Sequence, residues 1–81
     1  MYQTIHEPIW VVGIYKNAQF IPKKFKWKDQ ELYISEITLS NNVKDGAILK
    51  RWYSVIAENN LYRIEFNRTS EQWQLLEIWV E

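Results

Sequence analysis

The sequence predicts an all-β fold, an antiparallel meander of about six strands forming a small open barrel or roll. Three features point there. Apolar and polar residues alternate with period two, Val, Ile, Thr and aromatic residues dominate those stretches, and Asn, Asp and Gly interrupt them at short intervals. Successive strands joined by tight turns pair as antiparallel neighbours.

The first expected strand is 9–15, preceded by a polar N-terminal segment and followed by a turn at Lys16, Asn17 and Ala18. The second is 19–28. Pro22 inside it has no amide hydrogen for a ladder, so this strand is expected at an edge or with a bulge. Asp29-Gln30 leads into a third strand, 31–39, and the polar run 40–46 reads as the longest loop in the chain. A fourth strand follows at 49–58, Asn59-Asn60 reads as a two-residue hairpin turn, and 61–67 forms the fifth. In that fifth strand Tyr62, Ile64 and Phe66 share one face, and Arg63 and Glu65 the other.

The last segment, 71–81, carries two signals. Trp73, Leu76 and Val80 fall at helical spacing, and Thr69 with Gln72 fits a capping box. A strand is the preferred reading, because after a turn at 68–71 it would pair with the fifth strand and complete the sheet; a helix is the alternative.

The aromatic pattern resembles a small uncharacterised bacterial β domain. Phe25-x-Trp27, Tyr33-x-x-Glu36-Ile37, Trp52-Tyr53-x-Val55, Leu61-Tyr62-x-Ile64-x-Phe66, and Trp73-x-Leu75 with Ile78 follow one another in that family's order over residues 20–80. Lys28-Asp29 stands where the family usually has a turn containing Gly. The resemblance implies a compact bacterial β domain, with some relatives occurring near translesion polymerases, and it supplies no catalytic residue.

At 81 residues the chain is expected to be a single domain, 1–81, with one core. No cysteine is present to staple it, so burial must stabilise it; 47% hydrophobic residues, with five Trp and five Tyr, supply the means. Absence of cysteine fits a reducing compartment, and a cytoplasmic setting is expected. The apolar stretch 9–15 is too short for a signal peptide or membrane span, so no membrane association is expected. Ten Lys and Arg balance ten Asp and Glu, which leaves no whole-molecule field.

No catalytic apparatus is legible, and the expectation is a protein that is not an enzyme, with no catalytic residue, cofactor or metal. The one histidine, His6, lies in the polar N-terminal segment, no serine sits in a nucleophile motif, and Gly13 and Gly46 make no phosphate loop. Glu31 with Glu36 and Glu65 with Glu77 are read as solvated strand charges before acid–base pairs.

Two features suggest surfaces. Lys16, Lys23, Lys24, Lys26 and Lys28 form an acid-free basic run, and on a strand Lys24, Lys26 and Lys28 alternate with Phe25 and Trp27. Lys23, Lys24, Lys26 and Lys28, extended by Lys50, Arg51 and Arg63, are the candidate nucleic-acid contacts. Lysine protection of an exposed strand edge is the plainer reading. Trp10 and Trp79, in the terminal segments, are the candidate protein or homodimer interface. The functional expectation is a non-enzymatic interaction module, for protein binding or self-association, with weak nucleic-acid binding as the alternative.

Overall fold

The computed structural model describes residues 1–80. Seven strands make one antiparallel sheet: β1 (Tyr2–Pro8), β2 (Trp10–Lys16), β3 (Gln19–Trp27), β4 (Gln30–Asp45), β5 (Ile48–Ala57), β6 (Asn60–Asn67) and β7 (Gln72–Trp79). Their order across the sheet is β1-β7-β6-β5-β4-β3-β2. β2 to β7 are a plain meander; β1 is the exception, crossing to pair with β7.

The two edge strands are therefore consecutive in sequence, with Ile9 alone between them. The sheet must curl until its edges approach at that residue. No ladder joins β1 to β2, so the sheet is not closed into a barrel. Curling turns one face inward, where Ile9, Phe25, Leu32, Tyr53, Val55 and Ile64 are buried together with Ala57, Tyr62 and Leu75. Burying large apolar side chains is worth about 1.5–3 kcal/mol each, which is how a chain without disulfides meets the entropy of ordering.

Five register irregularities accommodate the bend, and the sequence explains most of them. In β4 the extra residues are Ser35 and Thr38, whose hydroxyls donate to the carbonyls of Ile56 (3.1 Å) and Ser54 (3.2 Å) on β5. A hydroxyl thus takes up a carbonyl at each bulge. In β1 the bulge holds Ile5 and His6 opposite Leu76, with His6 at φ 54°.

Three two-residue turns, Asn17-Ala18, Lys28-Asp29 and Glu58-Asn59, have φ between 51° and 65° at both positions. Positive φ at both central residues is the type I′ requirement, the turn whose twist matches the flanking strands. Lys28-Asp29 adopts it without glycine.

Several expectations change. There are seven strands, because residues 2–8 form β1; its inward positions include polar Glu7 beside Ile5, which hides the alternation. The run 40–46 is not a loop. β4 continues to Asp45 and turns at 46–47, and this half of β4 pairs only with β5, so burial imposes little apolar pattern. The 59–60 turn lies one residue earlier, since Asn60 already pairs with Ala57. The helical alternative for the C-terminal segment is overturned by β7; its bulge at Leu76 puts Trp73, Leu75 and Ile78 on the core side, and the broken phase imitates helical spacing. Pro22 lies where β3 pairs with β2 alone and beside a bulge at Lys23, as the missing amide hydrogen requires. No helix is long and apolar enough to cross a membrane among the described residues.

Gly13 sits opposite Pro22 at that bulge. A Cβ there would collide with the Ile21 carbonyl oxygen and come within 2.6 Å of Phe20 Cζ. Gly13→Ala is expected to destabilise the protein by about 1–3 kcal/mol in urea unfolding, as overpacking does. Ala18→Gly, relieving a left-handed alanine at φ 62°, should stabilise it by about 1 kcal/mol in the same assay.

Candidate functional site

Residues paired directly across antiparallel strands point to the same side, so the register maps the outer surface. On β2, β3 and β4 two rows result: Trp10, Lys26 and Glu31, and beside it Val12, Lys24 and Tyr33. Trp10 is 79% exposed, Tyr33 60% and Val12 55%. Lys24 Nζ lies 5.3 Å from the Tyr33 ring centroid and 3.6 Å from Glu31, while the Tyr33 hydroxyl donates to Glu31 at 3.4 Å. Lys26 has no carboxylate partner among the described residues. A hollow of ≈ 400 Å³ lies between Trp10, Val12 and the two lysines, floored by Phe25.

The arrangement joins residues that the sequence assigned to different uses. Trp10, an expected protein contact, shares its row with Lys26, an expected nucleic-acid contact. Lys23 is the exposed bulge residue beside them. Lys28 departs from the strand stripe: it occupies the turn, with its ammonium 5.0 Å from the Trp27 ring.

The remaining candidates lie elsewhere. Lys50 and Arg63 are on the outer face of β5 and β6, and both are neutralised. Lys50 contacts Asp45 (3.6 Å) and Glu65 (3.4 Å), and Arg63 holds Glu77 at 2.6 Å with its guanidinium 5.4 Å from the Tyr2 and Trp52 rings. Arg51 has the inward parity of Tyr53 and sits at the open end of the curled sheet, its Nε donating to Asn42 Oδ1 at 2.9 Å. The seven basic residues therefore do not form one patch. Trp79 is also apart from Trp10, being paired with Tyr2 at the far end of β1, ring centroids 5.0 Å apart.

Sequence reasoning missed Val12 and Tyr33. The signal was present in β2, where Trp10-Val11-Val12-Gly13-Ile14-Tyr15 has no charged side chain at either parity, although one face of an edge strand must meet water. Such a strand leaves apolar groups exposed, and Ile14 is 47% exposed beyond Val12.

Against this open face stands a satisfied one. Glu65, 7% exposed on the outer side of β6, accepts from Trp52 Nε1 at 2.9 Å and faces Lys50. Burial of a carboxylate is tolerated because both partners come with it. No family model, curated protein or solved structure matches the chain. The reading of the site therefore rests on its geometry.

Glu65→Ala should cost roughly 1–3 kcal/mol in equilibrium unfolding, since it strands the Trp52 indole N–H and leaves the Lys50 ammonium with Asp45 alone. Combined with Trp52→Phe in a double-mutant cycle it should show a coupling of about 1 kcal/mol, whereas simple additivity would mean that the hydrogen bond contributes nothing.

Proposed function

We propose that the outer face of β2, β3 and β4 binds single-stranded nucleic acid, and that the protein is a non-enzymatic binding module. The observation that carries this reading is the placement of two exposed rings, Trp10 and Tyr33, diagonally across Lys24 and Lys26 on adjacent strands. Exposed rings stack on bases regardless of sequence, at about 1–3 kcal/mol per base, and ammonium groups beside them meet the phosphates. Lys23 and Lys28 extend the basic margin. Glu31 offsets part of this charge through Lys24, and the chain as a whole is neutral, so binding is weak and short-ranged. A cytoplasmic location belongs to the same proposal.

A specific observation favours a second reading, protein binding or self-association. β2 is an edge strand whose outward row of Trp10, Val12 and Ile14 carries no charge. An unprotected apolar edge is a template for strand addition by a partner or a second copy. Lysines at the centre of the face weigh against it, because protein interfaces are depleted in lysine.

Titration into labelled single-stranded DNA and RNA separates the two. Affinity should fall with added salt, with a log–log slope of about −2 to −3 for three or four phosphate contacts. Trp10→Ala should weaken binding by about five-fold or more, and the pair Lys24→Glu, Lys26→Glu should abolish it while the fold survives. Salt-insensitive dimerisation that Trp10→Ala removes, with no affinity for nucleic acid, would transfer the face to the second reading.

A further inference from the structure

At the open end of the curled sheet the inward row ends in rings instead of aliphatic side chains. Phe20 of β3, Tyr53 of β5 and Phe66 of β6 surround Trp73 of β7, with centroid separations of 5.7, 5.7 and 4.8 Å. They line a hollow of ≈ 250 Å³ whose rim carries Tyr15, Arg51 and Arg68. Aromatic walls with two cations at the mouth are an unusual end for a hydrophobic core.

The arginines make this a site. The chain has three, Arg51, Arg63 and Arg68. Arg63 is held by Glu77, while neither Arg51 nor Arg68 has a carboxylate partner among the described residues. Both of these arginines line the same pocket. They arrive from different elements, Arg51 from β5 and Arg68 from the turn after β6. Asn42 fixes Arg51 through Nε and leaves its terminal nitrogens without a partner among the described residues. The Arg68 backbone is pinned by donation to Leu49 O at 2.8 Å.

Beside this hollow β3 and β4 have parted, because they pair only over Lys24–Trp27 and Gln30–Tyr33. A second hollow of ≈ 220 Å³ fills the gap, sharing Phe20, Arg51 and Tyr53 with the first and adding Gln19 and the β4 run Ser40, Asn41 and Asn42, of which Ser40 and Asn42 have the inward parity. The rings thus open onto amide and hydroxyl groups able to donate and accept.

We propose that this composite pocket binds a nucleoside monophosphate unit, its base against the Trp73 cluster and its phosphate between Arg51 and Arg68. A cationic guest is repelled by the arginines. An apolar guest leaves them unused. A carboxylate brings one negative charge, whereas a phosphate brings nearly two and matches a pair of guanidiniums in number and fork geometry. The ring-lined hollow is below the roughly 300–1,000 Å³ of pockets for drug-sized ligands, so it takes one planar ring system, and the polar gap takes the sugar. The unit comes either from a free mononucleotide or from the phosphorylated end of a strand. This site is distinct from the outer face, because its rings have the inward parity and Trp10, Lys24 and Lys26 the outward one.

The test is a nitrogen-15 NMR titration of the full chain with adenosine monophosphate, adenosine and inorganic phosphate. The monophosphate should shift the Trp73 indole signal and the amides of Phe20 and Phe66, and bind at least ten-fold more tightly than adenosine. Arg68→Ala, an exposed substitution, should weaken it about ten-fold, and Arg51→Lys, keeping charge but losing the fork, should weaken it as well. The Lys24→Glu, Lys26→Glu pair should leave it unchanged, so that this site and the outer face fail separately. A 5′-phosphorylated oligonucleotide that reproduces the Trp73 shift assigns the strand end as the source; a shift with the mononucleotide alone assigns the free nucleotide. No shift at Trp73, equal binding of adenosine, indifference to Arg68→Ala, or capture of a peptide with an aromatic C-terminus in place of the nucleotide would each overturn the proposal.

Discussion

The sheet turns on Ile9, the single residue between its two edge strands. The chain from β1 into β2 is one path that changes partner there, pairing first with β7 and afterwards with β3. Ile9 is buried, and its N–H donates to Trp73 O at 3.2 Å, so the junction is held through both side chain and backbone. A seven-stranded sheet whose edges must approach at one residue has no flat alternative. Its inner face becomes the core, and the bulges distribute the bend along β1, β3, β4 and β7.

Curvature divides the outer surface into two halves of different character. Over β1, β5, β6 and β7 each long charge meets an opposite partner: Arg63 with Glu77, and Lys50 with Asp45 and Glu65, with Tyr2 and Trp52 packed against the guanidinium. That half is internally complete. Over β2, β3 and β4 the lysines outnumber the carboxylates, and Trp10, Val12 and Tyr33 present area to water with no protein covering it. Single exposed apolar residues are ordinary; here Trp10 and Val12 on β2 and Tyr33 on β4 flank Lys24 and Lys26 in register.

Strands with one buried face were legible in the sequence, and strands without one were not. β5 and β6 alternate visibly because Tyr53, Val55, Tyr62 and Ile64 are buried apolar residues and the polar Ser54, Arg63 and Glu65 beside them point to the other face. The outer half of β4 has no such contrast. Ser40, Asn41 and Asn42 read as loop residues, yet they are held in register by pairing with β5, which propensity does not encode. At the candidate site, Lys24 and Lys26 were readable because they alternate with buried Phe25. Trp10 was readable as a surface residue but not as their neighbour, and Tyr33 was missed, since cross-strand register is a property of the fold and no local pattern specifies it.

The bulge at Lys23 ties the inner pocket to the outer face. Along β3, Phe20 and Pro22 point inward before it, and Phe25 points inward after it, so parity changes at that residue. In an unbroken strand Phe20 and Pro22 would share a face with Lys24 and Lys26, and the core would have to accept two ammonium groups without partners, at several kcal/mol each. The sequence Phe20-Ile21-Pro22-Lys23-Lys24-Phe25 therefore cannot fold as a regular strand in this sheet. Inserting Lys23 moves the lysines out to Trp10 and Tyr33 and keeps Phe20 in with Trp73. The same irregular stretch parts from β4 and opens the polar gap beside the rings. One extra residue thus sets up both surfaces, which is why neither can be altered at β3 without regard for the other.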